Sequence, residues 1–361
     1  MSLLLFVPFA ASAAGTFDEA ALYKAAQKEG EVNIYSYSSR VFKFGKTFEK
    51  RYPGVKVNGF DMDSPEIVTK ILAEQTAQNY IADIIFLKDP STVIHELYGR
   101  KYVSGYVPPD LADLIPEKYK NPILVHHASV DAFIYNTEKM KSPPIDSLWD
   151  LTKEEWKGRV IFPDPQKMSE FVEVLAAIVL HSDEMAVEYQ RVFGKPIALS
   201  PGVKNAGYEW ILRLLNNDLI ILGSTNGVAK AVGLSEQENP PVGLTAFSRL
   251  RDKAKNPNLK FDVMYTVKPV MGVSTDVLVG IVNHAKHPNA AKLLIHWMMG
   301  DSEGGQGYVP YFVLGNFSVR SDVPPPKGSK NLSDLMLWKS NPEFAWNNGQ
   351  KILDFWVSHL N

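Results

Sequence analysis

The stretch Ser36-Tyr37-Ser38-Ser39-Arg40 places hydroxyls and one guanidinium directly behind the β-rich run Val32–Tyr37. A loop of this kind entering a helix offers hydroxyl donors, free backbone N–H groups and a planar cation. Those are the groups that hold a phosphate, phosphonate or carboxylate. A second such loop reads Gly223-Ser224-Thr225-Asn226-Gly227, three small polar residues between glycines that let backbone approach a ligand closely. Lys88 ends the apolar run Ala82–Leu87 and supplies a further positive charge, and Lys268 another. Asp164 and Ser169 bracket the loop Asp164-Pro165-Gln166-Lys167-Met168-Ser169 behind a third β-rich run. Ser64 opens a helix just after Asp61 and Asp63, which alternate, share a face in extended chain, and would suit a cationic amine. Tyr311 follows a glycine-rich turn, with Tyr308 and Phe312 beside it, and offers a stacking surface. The candidate ligand contacts are therefore Ser38, Ser39, Arg40, Ser64, Lys88, Asp164, Ser169, Ser224, Thr225, Asn226, Lys268 and Tyr311.

Other chemistries find less support. With no cysteine among 361 residues there is no disulfide, thiolate metal site or thiol nucleophile, and no lipid-attachment cysteine. Gly223-x-Thr225-x-Gly227 has the spacing of a nucleophile elbow with threonine in place of serine. A triad would also need an acid and a histidine; His284 and His287 flank a helix start, His296 lies within an apolar helix, and all three read as structural. His126 and His127 are neighbours in a strand, so simple alternation points them to opposite faces and denies them a shared metal. No dinucleotide or P-loop fingerprint occurs. A net charge of −2, with both signs scattered, gives no basic face for nucleic acid. No catalytic residue, metal ligand set or cofactor is assigned.

The elements that must position these loops alternate. Phe17–Glu29 reads as a helix closed by Gly30; Val32–Tyr37, Val55–Val57 and Ala82–Leu87 read as strands separated by helices. Strand–helix–strand order with short links implies a parallel sheet with right-handed crossovers. A longer β-rich run, Ile123–Tyr135, breaks the pattern, and a second α/β set follows. The chain leaves one lobe near Ala128–Tyr135, builds another, and returns near Tyr265–Met271, so two crossings make a hinge with a cleft between the lobes. The expected division is 29–130 with 269–361 as lobe 1, and 131–268 as lobe 2. Residues 1–14 read as a signal-peptide remnant, an apolar core ending in Ala11-Ser12-Ala13.

Several segments in this order resemble the bacterial extracellular solute-binding proteins of ATP-driven (ABC) importers. They are Glu31–Ser36, Phe48–Val57, Ala82–Phe86, Ile134–Thr137, Trp149–Gly158 with Asp164-Pro165, and the C-terminal run Val277–Pro324 with its helix Leu293–Met299. The branch includes binders of ferric iron, polyamines, thiamine, phosphonates and sugar phosphates. The resemblance implies an α/β, two-lobe type II periplasmic-binding-protein fold with a two-strand hinge. It further implies a periplasmic monomer that captures a small molecule and hands it to a cognate permease in the inner membrane, without chemistry. The Ser/Thr/Asn loops with Arg40, Lys88 and Lys268 favour an anionic organic ligand. The alternatives are ferric iron and a hydrolase using Thr225. Iron binders of this branch carry adjacent tyrosines before a late helix, where Gly223–Gly227 has none, leaving Tyr35, Tyr37, Tyr308 and Tyr311 as phenol donors.

Overall fold

The computed structural model describes residues 17–360; the expected signal-peptide remnant at 1–14 lies outside the described residues. Strands run in chain order as β1 (Glu31–Ser36), β2 (Lys56–Asp61), β3 (Ile84–Leu87), β4 (Val103–Ser104), β5 (Leu124–Asn136), β6 (Val160–Pro163), β7 (Ile220–Leu222), β8 (Val242–Ala246), β9 (Phe261–Val263), β10 (Gly272–Val282), β11 (Asn316–Ser318) and β12 (Leu337–Lys339). The helices are α1 (Glu19–Glu29), α2 (Val41–Arg51), α3 (Ser64–Thr76), the single turn α4 (Pro90–Thr92), α5 (Glu170–Leu180), α6 (Ser182–Phe193), α7 (Ala206–Leu215), α8 (Thr225–Gly233), α9 (Pro288–Met299) and α10 (Pro342–Ser358). None is long and apolar enough to cross a membrane.

Local chemistry sets the boundaries. Asp18 caps α1 by accepting from Ala21 N, and Gly30 ends it at φ 79°, a left-handed conformation that glycine adopts without strain. Ser64, expected to open α3, is its first helical residue with Pro65 behind it, and Asp63 holds the extended N-cap position. Ser64 is therefore turned under the helix and buried.

Both lobes share one sheet, in the order β2-β1-β3-β10-β5-β8-β6-β7. At one end β1 lies between β2 and β3, all parallel; at the other, β6 pairs in parallel with β7 and β8. Between these parallel sets the long strands β5 and β10 run antiparallel, from Gly272 opposite Ala132 to Val279 opposite Leu124. They are the two-strand hinge: Leu124, Val125 and Val277–Val279 pack in the first lobe's core, whereas Phe133, Tyr135 and Val273 pack in the second's. The return crossing is thus β10 itself, a few residues later than the expected Tyr265–Met271. The hydrophobic alternation of Phe261–Val267 supports only the short strand β9.

The first core collects residues from Ala26 to Val125 and from Val277 to Val323. The second runs from Phe133 to Val273 and then takes in Trp338, Ala345, Ile352 and Trp356. The C-terminal helix α10, expected with lobe 1, packs instead on the second core. Its Trp356 ring lies 5.4 Å from Phe162, and its apolar stripe faces α5 and α7. A third cluster, including Ala132, Ile134, Val228, Val232 and Phe247, seals the other face of β5 with α8.

The expectation for His126 and His127 fails because strand alternation fails there. The register between β5 and β10 shifts between Val277 and Leu278: Val277 faces His127 and Leu278 faces Val125, leaving His126 as an extra residue. This bulge brings both buried rings together, Nδ1 to Nδ1 at 2.7 Å, with His126 Nε2 2.9 Å from the Met298 carbonyl. Since a carbonyl only accepts, His126 Nε2 carries the hydrogen in the neutral ring, and His127 Nδ1 donates to His126 Nδ1. Burial holds both imidazoles well below their ordinary pKa, His126 at about 3.

Candidate ligand-binding site

A cavity of about 290 Å³ opens between the lobes at the carboxyl ends of β1, β2, β3, β7 and β8. This is where an open α/β sheet leaves loops and helix starts for a ligand. From the first lobe come Tyr37, Ser38, Ser39 and Arg40 between β1 and α2, Asp61 and Asp63 between β2 and α3, Lys88 after β3, Ser129 on β5 and Asn316 on β11. The second lobe contributes Met168 and Glu170 at the start of α5, Gly223, Ser224 and Thr225 at the start of α8, and Ala246, Ser248, Arg249 and Arg251 after β8.

The guanidiniums dominate the electrostatics. Arg40 donates from Nη2 to Ser248 Oγ across the cleft at 3.2 Å and lies 4.9 Å above the Tyr311 ring. Arg251 Nη1 donates to the same hydroxyl at 3.0 Å and to the Ser248 carbonyl at 2.5 Å. Arg249 donates from Nε and Nη2 to Thr225 Oγ1 at 3.0 and 2.8 Å, a fork closed on one hydroxyl. Asp252 is the acid that meets them, 3.4 Å from Arg249 and 3.7 Å from Arg251. Burial, then the charges of Arg40 and Arg249, brings Arg251 down to about 9; burial also lowers Arg249.

Lys88 lines the cavity but is already paired. Its Nζ sits 2.5 Å from Asp131 Oδ2, and both side chains are almost wholly buried. Burial pushes the Asp131 carboxyl up, and the Lys88 charge opposes that push. Glu170 faces the cavity with no such partner, and burial raises it to about 7. Asp61 is raised by burial and by Asp63.

Of the expected contacts, the structure brings Ser38, Ser39, Arg40, Lys88, Ser224 and Thr225 to the cavity. The others lie elsewhere. Asp164 folds back to accept from Gln166 N at 3.0 Å. Ser169 lines a second cavity of about 210 Å³ against α10, with Asp89, Trp346 and Gln350. Ser224 accepts from Gly227 N and sets the start of α8, so Thr225 turns inward while Asn226, the next residue around the helix, leaves the lining. Lys268 bonds by its backbone to Asp146 and Leu148 in the second lobe and is not among the residues lining the cavity. Ser64 lies buried behind Asp63. Tyr311 is also buried, beneath Arg40 as a platform, with its ring against both His126 and His127.

The residues missed from sequence are Ser248, Arg249 and Arg251, on a 3-10 segment Phe247–Ala254 behind β8, together with Glu170, Ser129 and Asn316. Thr225, the candidate nucleophile, has its oxygen engaged by Arg249, and no histidine is among the lining residues. His287 bonds Asp83 at 2.8 Å and His296 bonds Asp110 at 2.9 Å, both in the first lobe. Of the four phenols weighed for iron, Tyr37 alone lines the cavity; Tyr35 donates to Glu74 within the first lobe, and Tyr308 is buried.

A family model described as bacterial extracellular solute-binding protein matches residues 43–345. No curated protein matches the sequence. Among solved structures, iron-bound HitA from Pseudomonas aeruginosa superposes with a TM-score of 0.71 at 17% identity, covering 91% of this chain and 99% of that one. AfuA from Actinobacillus pleuropneumoniae, with exogenous fructose-6-phosphate bound, gives 0.69 at 18% identity over 92% and 98% of the two chains. The substrate binding protein of an ABC transporter from Agrobacterium tumefaciens gives 0.69 at 14% identity over 92% and 94%. At these identities the likeness establishes the two-lobe fold, and the ligand named for each structure is that protein's own. The match over most of the sequence establishes more: this chain belongs to the bacterial extracellular solute-binding protein family.

Proposed function

We propose that the protein is the periplasmic capture subunit of an ABC importer, and that it closes on a small anionic organic ligand and presents it to a membrane permease. The observation that carries the ligand class is the convergence of Arg40, Arg249 and Arg251 on one cavity, with Asp252 as the acid that meets the second-lobe pair. Guanidinium N–H groups in a partly dry cleft favour a carboxylate, phosphonate or phosphate over any neutral solute. Ser38, Ser39, Ser224 and the helix starts of α2 and α8 add hydroxyl and backbone donors of the same preference. Since Arg40 comes from one lobe and Arg249 and Arg251 from the other, an anion between them joins both lobes. It would shift the population toward the closed form about β5 and β10.

A thermal-shift and calorimetric panel of sugar phosphates, phosphonates, carboxylates, polyamines and ferric citrate tests this reading. A ligand at a hundred times its dissociation constant adds about 2.7 kcal/mol to the native state, enough to move the melting temperature by degrees. A response confined to an anionic class, and lost in Arg249→Met, supports the reading. A response to polyamines alone would transfer the site to Asp61 and Asp63. A response to ferric citrate that survives Arg249→Met would transfer it to iron.

A further inference from the structure

Closure of this cleft sets like charges against each other. Arg40 and Lys43, at the start of α2, come from the first lobe; Arg249, Arg251 and Lys255, behind β8, come from the second. Arg40 and Arg251 share one acceptor, the Ser248 hydroxyl, at 3.2 and 3.0 Å. At the exposed mouth Lys255 lowers the pKa of Lys43 by its charge, and Arg251 and Arg40 act on Lys43 in the same direction. Among the described residues one carboxylate, Asp252, lies within 4 Å of these five cations, and it serves the second lobe only, at 3.4 Å from Arg249 and 3.7 Å from Arg251. Lys88 does not add to the imbalance, because Asp131 on the hinge strand β5 pairs with it. Asp61, Asp63 and Glu170 line the same cavity, but among the described residues none of them lies within 4 Å of any of the five cations.

Resting on the reading of the site as an anion cleft, we infer that the cationic face-off across the lobes is an electrostatic latch tuned to dianions. A monoanion leaves the opposed guanidiniums still repelling, and a dianion such as a phosphomonoester or phosphonate offsets both sides. At separations near 4 Å and an effective dielectric near 20, one further unit charge is worth well over tenfold in affinity, even after partial screening. The latch has a second consequence. Removing one cation lets the lobes approach without an anion.

The test uses inorganic ions on the intact protein, so it does not depend on knowing the solute. Sulfate and nitrate are titrated at matched ionic strength in the low millimolar range, and the radius of gyration and melting temperature are followed for wild type, Arg251→Met, Arg40→Met and Lys43→Gln. The expected result is compaction and stabilisation of wild type by sulfate at concentrations at least tenfold below those needed with nitrate. That difference should collapse in Arg251→Met and Arg40→Met, which should also be more compact than wild type in the absence of either ion. Lys43→Gln, at an exposed position that tolerates change, should be more compact than wild type without ions even if an arginine variant fails to fold. Equal responses to sulfate and nitrate would overturn the dianion latch while leaving anion capture standing. No response to either would overturn both. A sulfate preference undiminished in every variant would also sink the latch, since general salt effects on stability are shared by all of them.

Discussion

Replacing Lys88 by methionine tests whether this residue is a ligand contact or a structural cation. Its ammonium is 2.5 Å from Asp131, with side-chain exposures of 3% and 0%. At that separation and an effective dielectric near 20, the gross attraction is about 7 kcal/mol, most of which offsets the desolvation of two ions. Lys88→Met leaves the carboxylate buried with no cation, a change that typically costs about 3–5 kcal/mol. Protonation of Asp131 limits the cost, because burial already raises that carboxyl while Lys88 holds it down. The loss should therefore shrink as the pH falls from 8 toward 5. The double substitution Lys88→Met with Asp131→Leu removes both charges at similar volume and should be less destabilised than Lys88→Met alone. Urea unfolding reads both variants against wild type; with m near 3 kcal/mol/M the single variant should lose roughly 1–1.7 M in midpoint. A Lys88→Met protein within about 1 kcal/mol of wild type, with anion affinity reduced, would refute this assignment and return Lys88 to the ligand.

Four further outcomes follow from particular contacts. Thr225→Val removes the hydroxyl that accepts both Arg249 bonds; calorimetry should show anion affinity reduced about tenfold, the worth of one charge-assisted hydrogen bond, with the fold intact by circular dichroism. Glu170 and Glu173, both raised to about 7 chiefly by burial, are protonated in the fold over a range where the unfolded chain ionises. Their contribution to stability is full below the unfolded carboxylate pKa near 4.5 and is lost as the pH rises to 7, so stability should fall across that window, less steeply in Glu173→Gln. His126 and His127 act with the opposite sign: their depressed folded pKa values give stability that is full above 6.5 and is lost as the pH falls toward 3, so unfolding at pH 4 should be eased in wild type and less so in His127→Phe. Gly207→Ala would place a methyl 2.6 Å from the Ile178 carbonyl oxygen, where α7 meets α5, and should cost about 1–3 kcal/mol in urea unfolding.

Much of the fold was legible because each element carries its own period and punctuation. Gly30 closes α1, Pro65 opens α3, and the unbroken apolar run at Ile84–Leu87 announces a strand covered on both faces. The long run ending in Asn136 marks a strand too long for one lobe, and it crosses between the two cores. Tertiary choices were not legible. Nothing in the order of residues shows which core takes an amphipathic C-terminal helix, and α10 joins the second because Trp356 fills space beside Phe162. The bulge at His126 is equally silent in sequence, since a register shift belongs to the pair of strands and not to either alone.

The arginines make the instructive omission. Arg249 and Arg251 were not found because β8, with only Val242–Ala246 to show behind Pro240-Pro241, did not read as a strand. Without that strand, the rule that ligands sit beyond carboxyl ends had nothing to act on at Phe247–Arg251. The signal was present in Ser248-Arg249-Leu250-Arg251, where Leu250 packs inward while both guanidiniums remain partly exposed toward the cleft. By contrast Lys88 reaches the cavity wall already paired with Asp131, and Tyr311 lies beneath that wall, supporting Arg40 from below. Sequence position therefore located the mouth of the cleft, whereas which charges are already paired inside the protein shows only in three dimensions. Three guanidiniums drawn from both lobes, with Asp252 the one carboxylate within 4 Å of them among the described residues, are what make the ligand's charge the quantity to measure first.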